Sequence, residues 1–558
     1  MAETETHDVV VLGAGAGGMT AAAVAAAEGL DVLVLEKTPF VGGTTALSGG
    51  MVWAPGNAKA AAIGRPDSVE AARTYLAHLI PGTHNEAVRE AFLTHAAAAI
   101  AWLEAHTSVR LQPVPVYPDY DPDLPGAALG GRVLEPVAFD ATRLGPSFAL
   151  LRPPLPEFTL FGGMMPARPD IAHFRRVFRS FRSTLRVARL LARHARERLR
   201  APRGTTLVLG NALAAQLLHA LLRPNVTLRT GVTVARLLAA DGTITGVEVD
   251  GAPILARRGV VLATGGFSHD PALRAALLPG AAGPYSAASP ANQGDGLRLG
   301  QAAGGTIERR GSGGAFWTPL SRFTRADGTA AAFPHTVTDR AKPGIIAVNA
   351  AGRRFVNEAR SYHAFVRAML EANDPPRAFL IADSAALWRY GLGAIRPFAL
   401  NLRRWRRQGY LASAPDLAGL AAAIGVDAAA LTATVARFNE AAARGEDPEF
   451  GRGSDAYQRF MGDADQTPNP CLRPLDRPPF HAVVLDPGDL GTASGLAVDA
   501  AGRVLGADGT ALRGLYACGN DMNSVMNGAY PGPGITLGPA LTFGWLVGRR
   551  LAGVAPEP

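Results

Sequence analysis

The sequence predicts an α/β fold in which a parallel, doubly wound sheet is interrupted by an inserted α+β domain. A strand, a glycine-rich loop, a helix and a second strand follow one another within residues 9–36, as in a βαβ unit of a parallel sheet. Residues 286–477 lack this pattern and mix short strands with helices. Short strands return after Pro478, so we divide the chain into a first part, 1–285, an insertion, 286–477, and a second part, 478–558.

The composition indicates a globular protein with a sizeable core. Of the 558 residues, 48% are apolar and 18% are charged, which disfavours intrinsic disorder. Two cysteines cannot build a disulfide framework, and no Cys/His spacing indicates a zinc site. The acidic N-terminus is unlike a signal peptide, and no run of about 18 uncharged apolar residues predicts a transmembrane helix. We therefore expect a cytoplasmic protein.

The first strand, residues 9–12, leads directly into a glycine-rich loop. Gly13 permits the tight turn, Gly15 lets the backbone approach a pyrophosphate, and Gly18 lets the next helix pack close to the strand. The N-terminus of that helix offers unpaired N–H groups to phosphates. Glu36 ends the second strand, where a carboxylate can accept hydrogen bonds from the adenosine ribose. This pattern predicts a Rossmann-like dinucleotide site that disfavours NADP.

Further loops favour FAD over NAD as the dinucleotide. A second Gly/Thr/Ser loop follows Glu36 closely, and two later strands end in glycine-containing turns, none of which an NAD domain needs. The combination resembles the glutathione-reductase-type FAD fold, and more narrowly the flavoprotein family of fumarate reductases and 3-ketosteroid dehydrogenases. The other expected cofactor contacts are Lys37, Gly43, Thr44, Thr45, Ser48, Gly49, Gly50, Thr233, Ala263, Thr264, Gly265, Asn520, Asp521, Thr536 and Leu537.

A Gly/Pro loop at residues 527–538 leads into the last predicted helix. Free backbone N–H groups at such a position can face an anion or a polarised carbonyl. Tyr530 adds an O–H donor four residues before Gly534. The Tyr530 hydroxyl and the Gly534 N–H can therefore form an oxyanion hole.

This loop is similar to the C-terminal signature of 3-ketosteroid Δ1-dehydrogenases, and residues 117–136 and 354–362 resemble the other two tyrosine segments of that family. The resemblance implies an FAD-dependent oxidoreductase that desaturates the 1,2 bond of a 3-ketosteroid. It implies that Tyr530 and Gly534 hold the C3 carbonyl oxygen, and that Tyr362 removes the C2 proton as a phenolate. Tyr120 would support Tyr362, in competition with Tyr117, while hydride passes from C1 to flavin N5. The sequence shows no cation that would stabilise the phenolate.

Three alternative functions stay open at this point. A 3-ketosteroid Δ4-(5α)-dehydrogenase would remove hydrogens on the other side of the carbonyl. A fumarate-reductase-like enoate reductase would need an arginine proton donor and polar clamps for two carboxylates, and we find no such signature. The third alternative is a non-catalytic flavoprotein that docks on membranes.

The net charge of +8 is concentrated in one segment. Eleven arginines lie within residues 175–203, interleaved with apolar side chains at roughly helical spacing, which predicts one basic amphipathic helix over 174–203. This helix either packs on the domain with a solvated arginine face or contacts an anionic membrane surface, in which case the protein is membrane-associated. No recognised motif supports binding to nucleic acid. The expected partners are thus a steroid-like ketone, an external electron acceptor and, in the second case, a membrane.

Overall fold

The computed structural model describes residues 4–555 except 81, 83, 280–282, 309–312 and 373–374. The predicted mixed α/β fold is confirmed. The strands are β1 Glu5–Leu12, β2 Val32–Glu36, β3 Val52–Trp53, β4 Leu111–Pro113, β5 Val133–Pro136, β6 Phe139–Asp140, β7 Thr206–Leu207, β8 Val226–Thr230, β9 Val234–Ala240, β10 Thr243–Val249, β11 Ala252–Leu262, β12 Ala315–Thr324, β13 Ala330–Pro334, β14 Ile345–Asn349, β15 Ala378–Asp383, β16 Ala412–Ala414, β17 Phe480–Thr492, β18 Arg503–Leu505 and β19 Ala511–Ala517.

The helices lie between these strands. They are α1 Ala16–Ala27, α2 Ala58–Ala62, α3 Val69–Leu79, α4 Glu86–His106, α5 Arg168–Arg175, α6 Phe181–Arg198, α7 Leu209–Ala220, α8 Pro271–Leu277, α9 Asp295–Ala302, α10 Tyr362–Ala372, α11 Ser384–Tyr390, α12 Arg403–Arg407, α13 Leu417–Ile424, α14 Ala428–Ala443, α15 Ala456–Met461 and α16 Leu537–Ala552.

The first sheet has a parallel centre, as the βαβ pattern predicts. Its strands follow the order β18-β19-β10-β11-β1-β2-β8, with β9 paired to β10. Strand β1 pairs in parallel with both β2 and β11, and residues 9–12 are fully or almost fully buried, because both faces of a parallel strand are covered. The carboxyl ends of β1, β2, β11 and β19 therefore meet at one edge of this sheet.

The second sheet is antiparallel, with the order β13-β12-β17-β15-β14 and β16 paired to β17. Five of its six strands, β12 to β16, lie in the predicted insertion. Strand β17 lies beyond residue 477, in the part of the chain that the sequence division gave to the first sheet, yet it pairs with β12 and β15. The long apolar run of β17 is equally compatible with either sheet, so only long-range pairing assigns it.

The predicted helix over 174–203 is interrupted. Helix α5 ends at Arg175 and α6 begins at Phe181. Ser180 is the N-cap residue of α6, and its side chain accepts a hydrogen bond from the Ser183 N–H. Ser is favoured at this position because its oxygen satisfies a backbone N–H that has no partner within the helix. A continuous arginine face over the whole segment is therefore wrong, and the basic residues lie on two helices joined by a turn.

Among the described residues, no helix combines the length and the apolar character that crossing a membrane requires.

Candidate active site

The glycine-rich loop joins β1 to α1 and has little room for side chains at two of its three glycines. A Cβ at Gly13, whose φ is +101°, would lie 2.3 Å from the Ala263 carbonyl oxygen, and one at Gly18 would lie 2.0 Å from the Gly13 carbonyl oxygen. A Cβ at Gly15 would meet nothing within 4 Å, because this residue faces a cavity. The loop thus presents bare backbone and the N-terminus of α1 to that cavity.

Glu36 lies at the end of β2, beside this loop. It is buried and accepts hydrogen bonds from the Ala14 N–H, the Thr38 N–H and the Thr38 hydroxyl, each at 2.9 Å. An ionised carboxylate has about four acceptor sites, so capacity for a hydroxyl of a ligand remains. Lys37 follows it and forms an ion pair with Asp295, its Nζ atom 2.6 Å from the carboxylate.

The second Gly/Thr/Ser loop packs directly against the first. The Thr45 hydroxyl accepts a hydrogen bond from the Ala16 N–H at 3.1 Å, which fixes this loop to the start of α1. The Thr44 hydroxyl accepts from the Ser289 N–H and from the Asn292 amide at 3.0 and 3.1 Å. The two loops and the 289–292 segment therefore form one hydrogen-bonded wall.

Most of the predicted residues line a single cavity of about 1930 Å³. Its wall includes Gly13, Gly15, Glu36, Lys37, Gly43, Thr44, Thr45, Ser48, Gly49, Gly50, Thr233, Ala263, Thr264, Gly265, Asn520, Thr536 and Leu537, together with Tyr120, Tyr362, Tyr530 and Gly534. Gly18 lies behind the loop, as its predicted packing role requires, and does not line the cavity.

Asp521 is the other predicted contact that does not line the cavity. Its carboxylate is completely buried and accepts hydrogen bonds from the Thr264 N–H, the Thr264 hydroxyl and the Gly266 N–H, at 2.5, 3.0 and 2.9 Å. Burial raises the pKa of Asp521 to about 6. This residue therefore holds the end of β11 in place, and Asn520 is the one that faces the cavity. Because Asn520 and Asp521 are adjacent in the sequence, the sequence alone could not show which of the two side chains lines the cavity.

Three predicted tyrosines meet at the other end of the cavity. The Tyr120 hydroxyl donates to the Tyr362 hydroxyl at 2.9 Å, which in turn donates to the Tyr530 hydroxyl at 2.7 Å. We call Tyr120, Tyr362 and Tyr530 the tyrosine triad. Tyr117 also lines the cavity, but its ring packs on Phe460, and no bond joins it to the triad among the described residues. Of these two tyrosines, Tyr120 is therefore the one that is bonded to Tyr362.

The loops that carry the triad are fastened together by buried hydrogen bonds. The Tyr120 N–H donates to the Pro531 carbonyl at 2.9 Å, and the Tyr75 hydroxyl donates to the same oxygen at 2.7 Å. Next to Tyr120, the buried Asp119 accepts from Trp53 and forms an ion pair with Arg132, 2.6 Å away. These contacts hold two tyrosines in place although more than 400 residues separate them in the chain.

Burial opposes ionisation of the triad. It raises the pKa of Tyr362 well above 10, while the hydrogen bond from Tyr120 lowers it. It raises the pKa of Tyr530 to about 12, and the hydrogen bond from Tyr362 acts in the other direction. A phenolate at Tyr362 thus needs stabilisation from further groups.

Gly534 lies beside Tyr530 at the start of the turn before α16. Its φ of +94° is in the left-handed region, and a Cβ there would lie 2.6 Å from the backbone of Met51. The residue lines the cavity, its carbonyl accepts from the Trp53 N–H, and its own N–H has no acceptor among the described residues. A free N–H and a tyrosine hydroxyl can together hold a carbonyl oxygen that gains negative charge.

Several cavity residues escaped the sequence-based prediction. Arg152 donates to the Thr38 hydroxyl at 3.0 Å, and its buried Nε atom finds no hydrogen-bond partner in the part of the chain that the structure describes. Asn292 bonds both Thr44 and the Gly265 carbonyl. Neither residue belongs to a local pattern, because each reaches the cavity through tertiary contacts alone.

Exposed apolar side chains line the same cavity where it reaches the surface, and we call them the apolar rim. Phe178 is 92% exposed and Leu400 is 91% exposed, values that are unusual for large apolar side chains outside an interface. The other rim residues are Ile171, Val337, Trp388 and Phe398. The rim combines residues from the Arg-rich segment with residues from the predicted insertion.

Comparison with known proteins gives concordant results. The family described as FAD binding domain matches residues 8–537. The 4-oxocyclohex-2-ene-1-carboxylate 5-dehydrogenase of Sinomonas cyclohexanicum is 40% identical to this chain, over 99% of this chain and 95% of that protein. The 3-oxosteroid 1-dehydrogenase of Mycobacterium tuberculosis is 36% identical over 98% of each.

Among solved structures, the 3-ketosteroid delta1-dehydrogenase of Sterolibacterium denitrificans, in complex with 1,4-androstadiene-3,17-dione, is similar with a TM-score of 0.92. It is 38% identical in sequence, and the match covers 99% of this chain and 100% of that chain.

Proposed function

This chain belongs to the FAD binding domain family, and from that premise we propose that it is an FAD-dependent 3-ketosteroid Δ1-dehydrogenase. The observation that carries the proposal is the tyrosine triad beside the free N–H of Gly534. The similar proteins support the same chemistry, since each removes hydrogen next to a ring ketone according to its name.

The residues of the dinucleotide end fit FAD. A Cβ at Gly15 or at Gly49 would project into open space, so the backbone there is free to approach phosphates. We propose that Glu36 accepts hydrogen bonds from the ribose hydroxyls. Other parts of FAD would contact Thr44, Thr45 and Asn520. FAD, when bound, supplies the acceptor for the hydride that leaves C1.

In this proposal, the tyrosines of the triad bind the ketone oxygen and remove the C2 proton. Tyr530 and the Gly534 N–H would hold the C3 carbonyl oxygen and stabilise the negative charge that develops there, which acidifies the C2–H bond. Tyr362 would accept the C2 proton, after which the electron pair of the C2–H bond becomes part of the enolate. As a phenolate, Tyr362 can accept a hydrogen bond from Tyr120, which favours its charged form, while the single O–H of Tyr530 is directed to the carbonyl oxygen.

We further propose the two-part arrangement of the FAD-binding domain, with the insertion supplying one wall of the substrate site. Strands of the first sheet come from residues 5–262 and 503–517. Tyr120 and Tyr530 belong to these two parts, and Tyr362 begins α10 in the insertion. Closure of the site thus depends on contacts between the two regions of the chain.

Anaerobic reduction of the bound flavin tests the dehydrogenase proposal. We expect 4-androstene-3,17-dione to bleach the flavin and to yield 1,4-androstadiene-3,17-dione. If 5α-androstane-3,17-dione instead gives only the 4,5-unsaturated product, the Δ4-(5α) alternative replaces the proposal. Failure of every 3-ketosteroid to bleach the flavin, with reoxidation of reduced flavin by fumarate, would favour the enoate reductase.

A smaller cyclic ketone is the second candidate substrate, because the relative named for 4-oxocyclohex-2-ene-1-carboxylate is 40% identical to this chain. The same bleaching assay with 4-oxocyclohexanecarboxylate separates the two classes. We expect the steroid to have the higher kcat/KM, because the cavity continues from the triad to the apolar rim and an apolar polycycle gains more from such a surface.

We also propose that the apolar rim and α6 contact an anionic membrane surface. Helix α6 buries few residues, and among the described residues Arg182, Arg189 and Arg196 form no ion pair on it. Phe178 and Phe181 are 92% and 84% exposed beside them. Arginines that attract anionic headgroups and aromatic side chains that enter the interface are the combination that peripheral binding requires.

Vesicle sedimentation tests the membrane contact. Vesicles that contain phosphatidylglycerol should bind the protein, and vesicles of phosphatidylcholine alone should bind it weakly. Replacing Arg182, Arg189 and Arg196 by Gln should lower binding at least about tenfold, since each arginine near an anionic surface contributes about 1 kcal/mol. Leu222→Ser, an exposed apolar position outside the rim, is the matched control. Unchanged binding of the triple variant would leave the arginines without a membrane role.

A further inference from the structure

One buried cation lies close to the tyrosine triad. Arg340 is 3% exposed, and its guanidinium donates only to backbone carbonyls. Its Nε atom bonds the His335 carbonyl at 2.7 Å, its Nη1 atom bonds those of Glu358 and Arg360 at 2.9 and 3.1 Å, and its Nη2 atom bonds that of Thr336 at 3.3 Å. Every arm of the side chain is therefore held in place.

Arg340 differs from its buried neighbours because its guanidinium is paired with no carboxylate among the described residues. Arg354 and Arg452, which are equally buried, both form ion pairs with Glu358, at 2.7 and 3.3 Å. Within the described part of the chain, no carboxylate side chain forms an ion pair with Arg340. A buried cation without a partner is costly, so its retention points to an anion that arises nearby.

The position of Arg340 indicates which anion this is. The carbonyls of Glu358 and Arg360 come immediately before α10, whose first residue is Tyr362, and the guanidinium lies over the ring of Phe365 in the same helix, 5.1 Å from its centroid. The Arg340 guanidinium thus holds the segment that leads into α10, the helix that begins with the central tyrosine. The positive end of the α10 dipole lies at the same place, and it too favours a negative charge on Tyr362.

The titratable groups that face Arg340 are three tyrosines and one carboxylate. They are Tyr457, Tyr120, Tyr362 and Asp339. Asp339 is already paired with His335, 2.7 Å away. The ring of Tyr457 packs on that of Tyr120 with centroids 4.8 Å apart, and among the described residues its hydroxyl has no hydrogen-bond partner. The charge of Asp339 also favours the charged form of Arg340, but its carboxylate is bonded to His335 and not to the guanidinium. A phenolate on one of the tyrosines is therefore the further anion that Arg340 can stabilise.

We propose that Arg340 is the positioning residue of the reaction, in that its guanidinium stabilises the phenolate of Tyr362 through the surrounding field and fixes the start of α10. This inference rests on the proposed function. In the step concerned, an O–H bond forms at Tyr362, the C2–H bond of the ketone breaks, and its electron pair enters the enolate whose oxygen lies at Tyr530. Arg340 touches neither substrate nor proton, and it keeps its backbone bonds throughout.

The sign of the effect follows from the charges. Burial is the largest influence on these tyrosines and raises the pKa of Tyr362 and Tyr457, while the charge of Arg340 lowers that of Tyr457. A cation favours the phenolate, so its removal makes ionisation harder. Below the apparent pKa, the fraction of phenolate falls tenfold for each unit by which that pKa rises.

Single-turnover flavin reduction, measured as a function of pH, tests the proposal in the holoenzyme. Arg340→Met removes the charge and Arg340→Lys keeps it. We expect the Met variant to reduce its flavin about tenfold more slowly at pH 7, with an apparent pKa about one unit higher, and to approach the wild-type rate at high pH. The Lys variant should restore most of the rate. An ultraviolet titration of tyrosinate without substrate should show the same ordering.

Arg452→Met is the matched control, since Arg452 is buried in the same region but is paired with Glu358. It should lower the thermal midpoint without moving the apparent pKa. If Arg340→Met lowers the rate equally at every pH, with an unshifted tyrosinate titration, Arg340 is a structural residue only and the proposal is overturned. If wild-type flavin is reduced by no ketone, the proposed function fails, whereas the tyrosinate titration still decides the charge effect.

Discussion

The three side chains of the tyrosine triad are chemically alike but lie in different surroundings. Tyr362 lies between two hydroxyls, Tyr530 lies beside a free backbone N–H, and Tyr120 is fixed by its own backbone bond to Pro531. Only the middle residue has a donor on one side and an acceptor on the other. This arrangement is why we propose Tyr362 as the base and Tyr530 as the contact of the carbonyl oxygen.

At this scale, replacement of Tyr530 by Phe should slow flavin reduction by about 100-fold, because one donor to the developing oxyanion is lost. The flavin content should stay unchanged, since the hydroxyl is bonded to Tyr362 and not to the dinucleotide end. The measurement is single-turnover bleaching together with the flavin-to-protein absorbance ratio. Tyr117→Phe, in the same cavity but outside the triad, should retain the wild-type rate. Equal rates in both variants would remove Tyr530 from the mechanism.

His363 gives a prediction about acid stability. It is buried against Tyr530, accepts from the Trp317 N–H, and burial lowers its pKa to about 3. The unfolded chain binds this proton near pH 6.5, so between about pH 6.5 and 3 the folded state holds fewer protons and loses stability as the pH falls. At pH 5 the loss from this group is about 2 kcal/mol.

Urea unfolding of wild type and His363→Asn at pH 7, 6 and 5 measures this difference. The amide keeps an acceptor but cannot be protonated, so the variant should lose about 2 kcal/mol less than wild type between pH 7 and pH 5. Other titrating groups, such as His481 and Asp521, cancel in the comparison. Parallel pH profiles would show that His363 does not contribute.

Most of the residues that we expected at the candidate site line one cavity, whereas the position of Arg340 near the triad was not predictable from sequence. The glycine loop, Glu36 and the three tyrosines each belong to a short pattern with a local physical meaning. Arg340 is one of many arginines in the chain, and its role depends on which carbonyls fold around it. Asp521 illustrates the same limit, because only the fold decides which of two adjacent side chains faces the cavity.

At the scale of the elements, α1 offers a matched pair of glycines. Gly13 precedes the helix with φ +101°, and Gly29 follows it with φ +88°. A Cβ at Gly13 would lie 2.3 Å from the Ala263 carbonyl, whereas one at Gly29 would meet nothing within 4 Å. The two positions share the backbone strain of a left-handed residue and differ in crowding.

Gly29→Ala should therefore cost only the strain, about 1–2 kcal/mol. Gly13→Ala should cost more, because β11 must also move away from β1, and it should bind little FAD. Thermal unfolding and flavin content of the two variants provide the comparison. Similar losses in both would mean that the close approach of β11 to the loop is not essential.

Elements were predicted well where one pattern dominated and poorly where two patterns overlapped. The hairpin around Asp241 and Gly242 and the helix near residues 538–551 appear as expected, as β9–β10 and α16. The 174–203 segment kept its helical spacing through the turn at 176–180, so the break at Ser180 depended on a capping contact that periodicity does not register.

At the scale of the whole molecule, the cavity is lined by residues of both sheet regions, from Gly15 in the first to Tyr362 in the second. Removal of FAD should therefore lower the midpoint of a single unfolding transition. At a free FAD concentration of 100 times Kd, binding contributes about 2.7 kcal/mol. Calorimetry of the apoprotein with added FAD measures the shift, and NADP serves as the control ligand. Two transitions, of which FAD moves only one, would contradict this coupling.

The assignment of β17 shows why whole-molecule organisation was the hardest level to predict. Its residues come after the insertion in sequence, yet they pair with β12 and β15. Composition changes gradually around residue 477, while sheet membership depends on which strand edges are available. The division into domains therefore remains a prediction at this boundary.

The packing of α16 on α1 has a consequence for the order in which the protein is made. Gly544 and Gly548 bring α16 so close that a Cβ at either would lie 2.6 Å from an atom of α1. Yet α1 ends at Ala27 and α16 begins at Leu537, about 500 residues later. At translation speeds of about 5–20 residues per second, roughly 25 to 100 seconds separate them. During that interval the apolar flank of α1 has no native cover on the ribosome, which is the kind of surface that chaperones bind.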